Sequence, residues 1–216
     1  MISVSLGEKD APLRALCLGA HCDDIEIGCG GTILQLCGEK GLEVSWIVFS
    51  SDPQRAAEAR AGAGLFLAKA VHHDVEILDF RERYFPYQAV EIKEYFDGLG
   101  ERVHPEVIFT HFRDDRHQDH RLISELTYNT FRDHFILEYE IPKYDGDIGQ
   151  PNCYVHIDNQ TAKQKLGYID SAFLSQRHRP WFSTQTFEAL MRIRGIESRA
   201  PDGLAEAFHV RKLVIG

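Results

Sequence analysis

The sequence predicts an α/β, Rossmann-like fold: a mostly parallel sheet with helices on both faces and a site at the carboxyl ends of strands 1 and 4. Three observations predict it. Short apolar, β-branched runs alternate with longer segments of helical character. Those runs are nearly continuously apolar, as in parallel strands covered on both faces. Histidines and aspartates gather directly after two of the runs, where open α/β sheets bind their ligands.

Taken in order, "RALCLG" (14–19), "EVSWIVFS" (43–50), "DVEILDF" (74–80) and "EVIFTH" (106–111) read as strands. Residues 30–40, 54–71 and 87–103 between them read as helices, and the pair His72-His73 as helix-end surface. A helix follows from 118 to about 133, then a fifth strand, "FILEYEIP" (135–142). "KYDGDIGQPN" (143–152) has the glycines and proline of an exposed loop. "CYVHID" (153–158) and "EAFHVRKLVI" (206–215) read as strands, and 160–175 and 184–194 as helices.

The chain of 216 residues, 44% apolar, suits one globular domain spanning 1–216, without internal repeat or dividing linker. Its formal charge of −9 argues against nucleic acid as main partner, since phosphate binding needs a basic face. The start "MISVSLGEKDAPLR" lacks a signal-peptide core, and no apolar run is long enough for a membrane span, so a cytoplasmic, membrane-free protein is expected. Five cysteines without a Cys-x-x-Cys pair exclude a disulfide framework and a zinc knuckle as the natural reading.

After the first strand comes "GAHCDDIEIGCGG" (19–31), with adjacent like charges at Asp23 and Asp24. The segment is either a solvated Asp-rich turn or a cation site. If residues 21–24 form a turn, His21 and Asp24 share one side, an imidazole and carboxylate suited to zinc or ferrous iron. Asp23 then lies close by without ligating. "GCGGTI" suggests the phosphate-binding turn of a dinucleotide fold, with Asp52 as a ribose-binding acid. The third glycine is missing, however, since Ile33 holds its place, and two aspartates would repel a pyrophosphate. Tight turning and close helix–sheet packing account better for Gly28, Gly30 and Gly31.

After the fourth strand comes "HFRDDRHQDH" (111–120), in which His117, Asp119 and His120 form the second cluster. In strand order 3-2-1-4-5 the first and fourth strands are neighbours, so both clusters meet at the topological switch point. His21, Asp24 and His120 then supply three metal ligands and leave room for water or substrate, the arrangement of a catalytic site that performs metal-assisted hydrolysis.

These motifs resemble those of the PIG-L/LmbE-like N-acetylglucosamine deacetylases, whose pattern is His-Pro-Asp-Asp followed downstream by His-Pro-Asp-His. "AHCDDIEIGCGGTI" is close to the variant of bacillithiol-type deacetylases, in a family that includes mycothiol-type and antibiotic-sugar enzymes. The likeness is specific over 14–34 and 106–121. It is weaker over "RAAEARAGAG" (55–64), which resembles an Arg-x-x-Glu helix without its usual Leu-Gly ending, and over "AEAFHV".

The resemblance implies that His21, Asp24 and His120 bind zinc or ferrous iron and that Asp23 is the general base. His117, protonated, would stabilise the oxyanion or protonate the departing amine. Asp119 and Asp115 would orient histidines, and Arg55 would contact substrate. Cys22 and Gln118 replace the motif prolines, and Cys22 places a thiol, sensitive to oxidation or a soft ligand, beside the metal. The implied reaction is hydrolysis of the acetamide of an N-acetylated amino sugar, giving acetate and a free amine, by a protein whose relatives are often homo-oligomers. "RERYFPYQ" (81–88) and the 143–152 loop are candidate covers for the sugar, with His178 and His209 candidates for the site edge. The rival reading is a non-catalytic nucleotide-sugar-binding protein of the same fold, which has no need of Asp23 and His117.

Overall fold

The computed structural model describes residues 3–7, 11–39 and 41–214. Its strands are β1 (Leu13–Gly19), β2 (Leu42–Val48), β3 (His72–Ile77), β4 (Val107–His111), β5 (Phe135–Tyr139), β6 (Cys153–His156) and β7 (Ala205–Val210). Its helices are α1 (Asp24–Glu39), α2 (Pro53–Phe66), α3 (Ala89–Arg102), α4 (Gln118–Thr130), α5 (Asn159–Ala172) and α6 (Thr184–Ser198). The strands form one seven-stranded sheet in the order β3-β2-β1-β4-β5-β7-β6. The first five are parallel, and β7 runs antiparallel to both β5 and β6. β1 and β4 are adjacent, as the expected order requires. Among the described residues no helix is long and apolar enough to cross a membrane.

The core has a layer on each face of the sheet. One layer packs Ile25, Ile33, Phe66, Ile169 and Phe173 of the α1, α2 and α5 side onto Cys17, Trp46 and Tyr139. The other packs Phe96 of α3 and Ile123 and Leu126 of α4 onto Leu16, Leu18 and Ile108.

Two expectations need correction. α1 begins at Asp24 rather than at residue 30, so Gly28, Gly30 and Gly31 lie inside a helix and form no phosphate-binding turn. Helical propensity argues against such a glycine-rich first half, but packing overrides it. A Cβ on Gly28 would lie 2.2 Å from the Tyr139 ring, and one on Gly30 would lie 2.4 Å from Phe66. Asp52, set aside above as a ribose-binding acid, caps α2 and accepts the Arg55 N–H at 2.8 Å. His72 and His73 open β3 instead of ending a helix, pairing with Glu43 and Val44. β3 is an edge strand with a polar, exposed start, so no apolar run marks its beginning. Lys40 and Ile215, the last residues of an expected helix and strand, lie outside the described residues.

α1 is also gripped from β7, the strand next to the far edge of the sheet. The Glu206 carboxylate of β7 accepts the Gly31 N–H at 2.8 Å, the Thr32 N–H at 2.7 Å and the Thr32 hydroxyl at 2.6 Å. Lys165 of α5 donates to Glu206 at 2.6 Å and to the Ile27 carbonyl at 2.7 Å. A buried ion pair thus closes on itself against the helix that carries the first motif.

Candidate metal centre

The chain leaves β1 at Gly19 and makes the turn the first motif requires. Asp24 Oδ2 accepts the His21 N–H at 2.7 Å, and the Asp24 N–H returns to the His21 carbonyl at 3.4 Å. This places His21 Nδ1 and Asp24 Oδ2 on one side, 3.3 Å apart. Beyond β4, Asp115 Oδ1 accepts the His117 N–H at 2.7 Å. His117 then caps α4, its Nδ1 accepting the Asp119 N–H at 3.3 Å. The first turn of α4 delivers His120, whose Nε2 lies 3.0 Å from His21 Nδ1 and 3.5 Å from Asp24 Oδ2.

Three donor atoms therefore form a triangle with edges of 3.0, 3.3 and 3.5 Å. A tetrahedral ion about 2.0–2.1 Å from each donor separates them by about 3.3–3.4 Å. The far nitrogens are already committed: His120 Nδ1 to Asp115 Oδ2 at 2.8 Å, and His21 Nε2 to Asp119 Oδ2 at 3.2 Å. These carboxylates fix the tautomers that turn both lone pairs inward. Two facing lone pairs at this distance repel unless a cation or proton lies between them. Without an ion the proton resides on His21, where Asp24 and Asp119 outweigh the lowering effect of burial and hold the imidazole at about 10. Burial and neighbouring His111 push His120 down to about 3. The donor set fits a divalent metal. His117 with His21 and His120, and His111 with Asp24 and His120, form two groups of metal-competent donors that share His120.

Asp23 is buried beside this triangle. Its Oδ1 accepts from Arg55 Nη2 at 3.0 Å, while its Oδ2 has no hydrogen-bond partner among the described residues. Burial raises the Asp23 carboxyl, and Arg55 opposes the rise. Arg55 Nη1 donates to Glu82 Oε2 at 3.2 Å, so the arginine spans two carboxylates. Half-buried His117 lies edge-on to His21 with ring centroids 4.8 Å apart. Burial and the His21 charge lower it below the usual histidine value. Its Nδ1 is engaged by the Asp119 N–H, which leaves Nε2 to face the site.

The structure thus brings His21, Asp23, Asp24, Arg55, His117, Asp119 and His120 together. Asp119 also accepts the backbone N–H groups of Arg83 at 2.6 Å and Phe85 at 3.2 Å, drawing the 81–85 segment over the site. Arg83 adopts a positive φ of 69° there. Cys22 offers no soft ligand: it is buried, donates to the Ser50 carbonyl at 3.3 Å, and burial pushes its thiol up to about 12. His178 is exposed against the Ser175 carbonyl, and His209 stacks on Phe112 at 3.7 Å. Neither belongs to the metal-competent groups.

Sequence reasoning missed three residues. His111 stacks on His120 at 3.9 Å and accepts the Ala20 N–H at 2.9 Å, tying the two motifs together. Its signal was available, because it opens the same histidine-rich string. Glu82 and Lys143 reach the site from the two loops expected to cover the sugar, although neither residue was itself marked.

The family model described as PIG-L, GlcNAc-PI de-N-acetylase, matches residues 16–131, which span both motifs. A sequence search of curated proteins finds no match. Solved structures share the fold at low identity. N,N'-diacetylchitobiose deacetylase from Pyrococcus horikoshii has a TM-score of 0.66 at 20% identity, over 92% of this chain and 83% of that one. A teicoplanin deacetylase in its zinc-inhibited form scores 0.69 at 13% identity, over 94% and 100%. The 4-carboxy-2-hydroxymuconate hydratase GalB from Pseudomonas putida scores 0.73 at 16% identity, over 94% and 98%.

Proposed function

The chain belongs to the PIG-L family of de-N-acetylases, and from that premise we propose that it hydrolyses the acetamide of an N-acetylglucosamine-type conjugate, with a divalent ion, zinc or ferrous iron, held by His21, Asp24 and His120. The observation that carries the reading is the inward-turned donor triangle with the free oxygen of Asp23 beside it. A divalent ion there supplies Lewis-acid polarisation of the carbonyl and makes water acidic enough for a carboxylate to deprotonate.

The chain's own residues do the rest. Asp23 Oδ2 accepts a proton from the attacking water. Arg55 holds Oδ1, fixing the carboxylate's direction and opposing the upward push of burial on its carboxyl. His117, with Nδ1 engaged by the Asp119 N–H, keeps Nε2–H free to donate to the developing oxyanion. The proton on Asp23 is then the nearest supply for the departing amine, and its buried setting tolerates the protonated carboxyl. Asp115 and Asp119 keep the two histidines in the required tautomers.

The hydratase of the same fold shows that the scaffold alone names no reaction. Here Asp23, Asp24, Asp115, Asp119 and Glu82 surround the site, and the guanidinium among them is already shared by two carboxylates. That lining favours a neutral amide over a polycarboxylate such as the hydratase's name describes. The test is acetate release from a panel of N-acetylglucosamine derivatives by metal-reconstituted wild type and Asp23→Asn. The proposal expects turnover in wild type and a loss of about 10²–10⁴-fold in the variant with metal content unchanged. Stoichiometric metal with no acetate from any conjugate would favour the nucleotide-sugar-binding alternative.

A further inference from the structure

The 143–152 loop is joined to the site through the side chains of Lys143 and Asp147. Lys143, 8% exposed, donates from Nζ to Asp115 Oδ2 at 2.9 Å and to Asp147 Oδ2 at 2.6 Å. Asp115 Oδ2 is the same oxygen that pairs with His120 Nδ1 at 2.8 Å. Asp147 Oδ2 in turn accepts the Arg116 N–H at 2.7 Å, from the segment between β4 and α4. The near end of the loop therefore closes on the residues that support His120.

The far end is held elsewhere. Gly149 donates to Glu140 Oε1 at 3.1 Å and its carbonyl accepts from Arg194 Nη2 of α6 at 3.0 Å, while Arg194 also pairs with both Glu140 oxygens. Between these anchors Tyr144 and Ile148 are 71% and 45% exposed. One end is fixed to the scaffold and the other to the candidate metal centre. A buried ion pair adds little net stability over an apolar replacement, so stability is a weak reason for a buried ammonium here.

We propose that Lys143 is a positioning residue that couples the 143–149 loop to the metal centre, so that ion binding and ordering of the loop are a single event. The proposal rests on the reading of His120 as a ligand. An ion drawing electron density from His120 makes Nδ1–H a stronger donor and pins the Asp115 carboxylate. The carboxylate then offers Lys143 a fixed partner, and Lys143 holds the loop through Asp147. The coupling is reciprocal, so the ordered loop also raises ion affinity.

Hydrogen exchange with and without zinc tests this on wild type, Lys143→Met, Lys143→Arg and Asp147→Asn. In wild type, zinc is expected to slow exchange in residues 20–25, 115–121 and 143–149. In Lys143→Met the response of 143–149 disappears, the other two segments still respond, and zinc affinity falls about 10–100-fold. Lys143→Arg restores part of the loop response. Asp147→Asn, which leaves the Lys143–Asp115 contact in place, also weakens the loop response and serves if Lys143→Met misfolds. Undiminished zinc protection of 143–149 in Lys143→Met, or in Asp147→Asn should Lys143→Met misfold, overturns the coupling. Absence of protection at 20–25 and 115–121 in wild type overturns the metal reading itself, and the coupling with it.

Discussion

Two buried charged clusters bracket α1, and they are built to opposite specifications. At Glu206 and Lys165 every charge is answered: four hydrogen bonds converge on one carboxylate, and the ammonium has a carbonyl as well. At His21, Asp24 and His120 the outward atoms are equally well answered, but three donors turn inward on a common point. The neighbouring Asp23 keeps one oxygen without a hydrogen-bond partner among the described residues. Burial and charge are common to both clusters, so neither marks a site. What separates them is the convergence of three metal-competent donors on one another. A closed cluster fastens a helix, and an open one is poised to take a cation.

The largest expected effect comes from breaking the closed cluster. Glu206→Ala strands the Lys165 ammonium in the core and should cost about 3–5 kcal/mol of stability. Urea unfolding checks the loss, and zinc affinity of the folded fraction should stay near wild type. A smaller effect follows from loosening the open cluster. Asp119→Ala frees His21 Nε2 and should weaken zinc binding about 10–100-fold, read by chelator competition, with a stability loss below that of Glu206→Ala.

A pH dependence sharpens the same comparison, and its sign follows from His21. The folded, metal-free protein holds this imidazole at about 10, above its usual value. Its proton therefore stabilises the metal-free fold fully below about pH 6.5, and this contribution fades as pH rises towards 10. Zinc must displace that proton. Binding at pH 7 should release about one proton, and apparent affinity should rise about tenfold per pH unit up to that value. Calorimetry in buffers of different ionisation enthalpy measures the proton count. A count of zero would mean that His21 is not a ligand.

Much of the site was legible because its residues occupy two short strings, each directly after an apolar strand. The turn at 21–24, the adjacency of β1 and β4 and the inward position of His120 all follow from local spacing and one rule of topology. The start of α1 was not legible: three glycines read as a turn until Tyr139 and Phe66 are known to press against them. Arg55 could be found by resemblance, but its contact with Asp23 depends on how α2 crosses α1. Glu82 and Lys143 carry no signature at all, because their partners lie far along the chain and are set only by loop paths.

The most direct test of the central claim is an anomalous difference map from crystals grown with zinc. The account predicts one strong peak about 2.0–2.1 Å from His21 Nδ1, Asp24 Oδ2 and His120 Nε2, with Asp23 outside bonding distance. A peak ligated by His111 or His117 in place of one of these three, or no peak between them, would contradict it.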